Sequence, residues 1–229
     1  MNEAARTDAR PLGPAVDPTP ALMPGPVTFT GRFGRVERLN ATRHSDDLCA
    51  AVRGRPEIWD YMPAGPFSDD DAFLDYVIAC EHNKERYFYA VVNERDRAVG
   101  FLALMEIRPA MRVIEVGNIV YGAPLQRTPL GTEAQYFLAR YAFETLGYRR
   151  FEWKCHALNA ASRRAAQRFG FVYEGTFRQH MIIKGRSRDT AWFAMLDGEW
   201  PARKAAFERW LRPENFDREG WQKRRLSEA

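Results

Sequence analysis

The sequence predicts a single α/β domain built on a mixed, mostly antiparallel sheet flanked by helices. Three observations carry this. Period-two segments cluster in the middle and towards the end of the chain. Two strongly periodic helices each fall between strands, as crossovers do. No internal repeat or interior linker divides the 229 residues. A chain of that length can bury a sizeable core. With 45% hydrophobic and 28% charged residues it falls outside the collagen-like, low-complexity and disordered classes.

The elements follow in order. Residues 1–26 are rich in Pro and Ala without periodicity and read as a flexible or extended arm. Residues 27–30 and 35–39 alternate around Gly31 and Gly34, a strand signal with a turn. Residues 44–52 form a short helix with Ser45 as candidate cap, and 57–63 are irregular and aromatic. Ser68 can cap the next helix; Asp69, Asp70 and Asp71 sit where the helix dipole favours negative charge, which explains them without a cation. Phe73, Val77 and Cys80 give that helix its period. Strands are expected over 87–92, 99–106 and 113–121, joined by turns. Ala134, Phe137, Leu138, Tyr141 and Ala142 mark one face of a helix over 132–145, closed by Gly147. A strand over 150–155 precedes a helix over 159–169, with Ala165, Ala166 and Phe169 inward. Strands over 171–173, 176–184 and 188–196 follow. Pro201 opens a last helix ending near Leu211, and polar residues 212–229 wrap the surface. The domain thus spans 27–211, between an arm and a C-terminal extension.

Several function classes are disfavoured. No apolar run reaches the roughly 18–20 residues that span a bilayer, and no hydrophobic segment follows the charged N-terminus, so neither a membrane partner nor secretion is expected. Cys49, Cys80 and Cys155 are odd in number and widely spaced, which fits a reducing cytoplasm. The four His are scattered without ligand spacing, so no protein-bound metal is expected. The net charge of +4 is mild and compatible with a phosphate-bearing partner, nucleic acid or phosphorylated cofactor. No stacking or helix-turn-helix pattern supports nucleic acid.

Two stretches carry chemistry. In 120–134 a strand ends, a basic loop follows, and a helix begins. Free N–H groups at a helix start bind phosphate oxygens, and Arg127 and Thr132 add a charge and a hydroxyl. The alternative is a plain strand-to-helix connection. In 158–175, Asn159 is a natural N-cap with Ser162 in the same first turn, and Gly170-Phe171 closes the helix.

Together these stretches resemble the GCN5-related N-acetyltransferase superfamily, nearest to its ribosomal-protein N-terminal (RimJ/RimL-like) branch. The likeness covers roughly residues 27–197. It is strongest where Glu152-Trp-Lys-Cys-His-Ala-Leu-Asn159, Ser162-Arg-Arg-Ala-Ala-Gln-Arg-Phe-Gly-Phe171 and Lys184-Gly-Arg-Ser-Arg-Asp-Thr-Ala-Trp-Phe193 follow in order. The resemblance implies a splayed sheet and acetyl-CoA, or another acyl-CoA, as co-substrate. Pantetheine would pair with backbone near Ile119, Val120 and Tyr121. Pyrophosphate would sit on Gln126, Arg127, Thr128, Leu130, Gly131 and Thr132. Asn159 would hold the pantetheine arm, with Ser162 near the thioester sulfur. Two departures stand out. Pro129 occupies a position commonly Gly and lacks an N–H. Ala166 stands where many members place a Tyr as general acid, so Ser162 or water must replace it.

The chemistry so implied is direct attack of an amine on the thioester, with a base to remove its proton. Glu115 is a candidate base; Glu115 and Asn118 cannot both line the site unless a bulge intervenes. An exposed loop is the simplest reading of His156, and a core position that of Cys155. The basic turn Lys184–Arg188 would favour an acidic or phosphate-bearing acceptor, with Trp59, Tyr61, Met62 and Phe67 as a second wall or simply as core. The acceptor is an amine, on a protein or a small molecule. A succinyl donor and a non-catalytic acyl-CoA sensor remain alternatives, and the two terminal segments allow a homodimer.

Overall fold

The computed structural model describes residues 12–228. Strands β1 (Phe29–Thr30), β2 (Gly34–Arg38), β3 (Tyr87–Asn93), β4 (Ala98–Arg108), β5 (Val113–Tyr121), β6 (Arg150–His156), β7 (Val172–Ile183) and β8 (Arg186–Leu196) form one sheet in the order β1-β2-β3-β4-β5-β6-β8-β7. Every neighbouring pair is antiparallel except β5 and β6, whose connection runs through helix α3 (Pro129–Arg140). A parallel pair requires such a crossover, so the one long helical interruption explains the one parallel rung set. Helices α1 (Ala41–Val52), α2 (Asp70–Glu81), α4 (Ala160–Arg168) and α5 (Trp200–Leu211) complete the domain.

Helices α1 to α4 each start where a side chain accepts a backbone N–H, and this corrects three expected starts. Asn40, not Ser45, caps α1 by accepting from Arg43 N at 2.9 Å. Asp69, not Ser68, caps α2 through Ala72 N at 2.8 Å. Thr128 caps α3 three residues before the expected start, with Pro129 at its first turn, where a missing N–H is tolerated. Asn159 caps α4 as predicted. Residues 141–145 continue α3 as a π-turn ahead of left-handed Gly147. The segments 171–173 and 176–184 prove to be one strand, β7, interrupted by register shifts.

Two hydrophobic layers sandwich the sheet. Ala134, Phe137 and Leu138 of α3, Phe207 and Trp210 of α5, and Ala166 and Phe169 of α4 join one cluster with Ile114, Val116, Phe151, Trp153 and Phe193. On the opposite face α1 and α2 bury Leu48, Val52, Phe73 and Val77 against Phe88, Ala90, Phe101, Ala103 and Val120. The α1–α2 layer therefore covers β2 to β5, and the same face of β6, β8 and β7 carries polar side chains such as Glu152, Lys154 and Thr190 beside Trp192 and Phe177.

The end segments are anchored. Over its described residues the N-terminal arm is extended, and Ala21 N and Leu22 N donate to Pro109 O and Leu146 O. The C-terminal extension turns back so that Phe216 packs on Trp210 and Phe33, and Leu226 is buried. Among the described residues, no helix is long and apolar enough to cross a membrane.

Candidate active site

The site begins where β5 and β6 part. They pair only through Val113↔Arg150, Ile114↔Phe151 and Glu115↔Glu152. The cause lies on the other side of β5. Its register against β4 slips between Ala103↔Gly117 and Phe101↔Val120, and Asn118 takes a left-handed φ of 48°. That bulge adds twist and turns the rest of β5 away from β6. The edge bearing Ile119, Val120 and Tyr121 thus faces an open wedge without a strand partner. The bulge is also the intervention that the spacing of Glu115 and Asn118 required.

Glu115 sits at the apex of the wedge, 4% exposed. Its neighbours Ile114 and Val116 point into the α3 layer, so Glu115 points to the uncovered polar face. Lys154 Nζ lies 2.8 Å from its carboxylate and 3.1 Å from that of Glu152, and rests 4.0 Å from the Trp192 ring centroid. Glu152 is held in turn by Arg108 and Arg150, whose charges keep it ionised despite burial. Glu115 has only the shared lysine. Burial outweighs it and raises the Glu115 carboxyl to about 7.

Across the wedge, on the other face, lies the start of α4. Asn159 Oδ1 accepts from Ser162 N at 3.0 Å, and Ser162 Oγ accepts from the Trp153 indole N–H at 3.0 Å. The hydroxyl keeps its own proton to donate and lies against Cys155. Burial pushes the Cys155 thiol up, so it is no nucleophile. Ala166 is fully buried in the core.

The loop 121–132 uses several of the donors expected to be free. Gln126 N and Thr128 N donate to Gly122 O and Leu125 O, and the Gln126 side-chain amide donates to Tyr121 O at 2.8 Å. Gly131 N donates to the Thr128 hydroxyl, as capping demands. Thr132 Oγ1 accepts from Arg168 Nη1 at 3.0 Å. Leu130 turns its side chain into the core. Arg127, left-handed with φ 60°, is left exposed. Tyr121 Oη donates to Gly131 O at 2.9 Å and locks β5 to the helix.

Sequence reasoning missed two groups. Arg168, at the end of α4, lies over Phe169 and Trp210 and places a cation at the start of α3. A helix N-terminus repels a cation, so this arrangement suits an anion between them. Lys154 was hidden because its partner Glu115 is remote in sequence. A Lys followed by alternating residues on a strand looks like any solvated face.

Beyond the wedge lies a cavity of about 600 Å³ lined by Asp60, Tyr61, His156, Lys184, Arg186 and Arg188 among others. Lys184 Nζ donates to Trp59 O at 2.9 Å and joins the β7–β8 turn to the segment after α1. His156 is not a free loop residue: its Nδ1 accepts from Leu158 N, and its ring meets Tyr61 at 5.2 Å. Of the aromatic segment, Tyr61 reaches the cavity, whereas Trp59, Phe67 and Met62 pack in the α1–α2 layer. Among the described residues, no group of three metal-ligating side chains gathers.

The arrangement has close relatives. Residues 37–172 match the family model described as an acetyltransferase (GNAT) domain. A GCN5-related N-acetyltransferase from Brucella melitensis is 46% identical, with 92% of this chain and 96% of that one covered at a TM-score of 0.89. A probable GNAT-family acetyltransferase from Chromobacterium violaceum is 39% identical over 84% of this chain and all of that one, with a TM-score of 0.77. The N-acetyltransferase p20 of Bacillus licheniformis is 29% identical over 67% of this chain and 88% of its own length. A parallel strand pair opened by a bulge, the crossover helix beside it and this family match agree: the chain belongs to the GNAT acetyltransferase family and is an N-acetyltransferase.

Proposed function

We propose that the chain transfers an acyl group, acetyl by default, from acyl-CoA to a primary amine by direct attack, with Glu115 as base. The observation that carries this reading is the near-neutral carboxyl at the apex of an unpaired backbone wedge. The fit to the donor is chemical. An amide-bearing pantetheine can use the free edge of Ile119, Val120 and Tyr121 as a strand would. The α3 start, Arg127 and Arg168 suit its phosphates.

Glu115 and Ser162 approach the wedge from opposite faces. Glu115, ionised above about pH 7, takes the proton from the attacking amine, directly or through one water. The new C–N bond forms as the C–S bond breaks. Ser162, its oxygen already held by Trp153, turns its O–H toward the departing thiolate in place of the Tyr that Ala166 replaces. In this reading a backbone N–H of the bulged segment at Asn118 receives the developing oxyanion, which the open edge of β5 supports. Placement in the RimJ/RimL-like branch rests on the motif order of residues 152–193.

The buried Ala166 favours one rival, an acyl-CoA sensor without turnover. Calorimetry with acetyl-CoA, followed by CoA release over an amine panel, separates the two. Micromolar binding that weakens about tenfold or more in Arg168→Ala, together with amine-dependent CoA release, is the expected result. Binding without release from any amine would support the sensor.

A further inference from the structure

Among the described lining residues of the cavity, Arg188 is the half-buried cation without a countercharge. It projects from β8 on the same face as Thr190 and Trp192, and its Nε donates to Thr190 Oγ1 at 3.2 Å. The same hydroxyl also meets His180 Nδ1 at 3.0 Å, so Thr190 is fixed and in turn fixes the guanidinium plane. No carboxylate among the described residues pairs with Arg188, and its two terminal nitrogens have no partner. Other arginines of this sheet face are answered: half-buried Arg150 by Glu152 and Glu174, and exposed Arg108 by Glu152. Burial without a partner disfavours the charged form of Arg188, and Glu115 acts on it only at longer range.

A desolvated guanidinium held by its Nε, with its fork turned to an open cavity, is a preformed carboxylate seat. We propose, on the basis of the acyl-transfer reading above, that this cavity binds a substrate carrying a carboxylate, seated on Arg188 while the reacting group lies toward Glu115. Arg186 of the lining is exposed, so the half-buried Arg188 is the guanidinium that can seat one negative charge out of solvent. Asp60, also in the lining, opposes a second, and Lys184 is already committed to Trp59 O. That carboxylate has two sources: the amine acceptor, as in an amino acid, or the acyl chain, as in a succinyl group.

The test has one binding arm and two turnover arms. Calorimetry of the CoA-saturated protein with butyrate and with butyramide is expected to show at least tenfold tighter binding of butyrate. Arg188→Gln should abolish that difference, and Arg188→Lys should keep part of it. In turnover with acetyl-CoA, β-alanine should exceed its amide about tenfold if the acceptor supplies the carboxylate. With a neutral amine, succinyl-CoA should exceed butyryl-CoA if the acyl chain supplies it. Either preference must collapse in Arg188→Gln while the uncharged member of the pair is unaffected. Equal binding of butyrate and butyramide, or a preference that survives Arg188→Gln, overturns the proposal. Failure to bind acetyl-CoA at all would overturn the acyl-transfer reading itself, whereas transfer without charge discrimination would overturn the carboxylate seat alone.

Discussion

At the residue scale, Glu115 makes a sharp prediction. Its carboxyl is raised to about 7 by burial against the pull of Lys154, so the basic form accumulates as pH rises through neutrality. The turnover rate should therefore climb through about pH 7 and level off above it. Glu115→Gln should remove that limb and lower kcat by about 100-fold or more. A pH profile of unchanged midpoint in the variant would assign the base elsewhere. Asn159 is tested by stability. Loss of its cap on Ser162 N in Asn159→Ala should cost about 1 kcal/mol, a fall in Tm of about 2–4 °C. Asn159 was legible because a cap announces itself within four residues of sequence. Lys154 and Arg168 were not, since each acquires meaning only from a partner that folding brings near, and Arg188 was legible only as the close of a basic turn.

At the scale of elements, the strands and helices were readable almost throughout, from alternation and period. Where boundaries moved, a better side-chain acceptor lay next door: Asn40 over Ser45, Asp69 over Ser68, Thr128 ahead of Thr132. The loop before α3 shows what motif reading cannot supply. Its residues were assigned as donors by type, yet most of those N–H groups hold the loop together. Its tolerance is correspondingly small. A Cβ on Gly131 would lie 3.0 Å from Tyr121 Cε2 and 3.1 Å from Leu125 O. Gly131→Ala should thus push the helix start from β5 and weaken acetyl-CoA binding in calorimetry, with little change in the circular dichroism spectrum.

At the scale of the whole molecule, segments far apart in sequence enclose the cavity. Lys184→Ala releases the β7–β8 turn from Trp59 O, residues 125 positions apart. It should raise KM for the acceptor several-fold and leave acetyl-CoA affinity unchanged, because the α3 loop lies elsewhere. The C-terminal extension was read as a surface wrap, but Phe216 and Leu226 show that part of it belongs to the core. Removing residues 213–229 exposes those two side chains and the Trp210 face, and should destabilise the fold by about 3–6 kcal/mol in denaturant unfolding. A polar composition hides such anchors, since Phe216, Trp221 and Leu226, spaced five residues apart among polar neighbours, match neither the strand nor the helix period.

The parting of β5 and β6 has a further consequence for solubility. An unpaired strand on the rim of a sheet invites another chain to add to it. Here the unpaired backbone lies inside the sheet, between two strands that rejoin at Glu115↔Glu152. A foreign strand would have to enter a notch closed at its base, whereas a slim linear ligand can slide in from the open end. The molecule can therefore keep recognition groups unsatisfied without presenting them to its neighbours, and hydrogen exchange should be fast in the free protein and slow once the notch is filled at those amides of residues 118–121 that do not pair with β4.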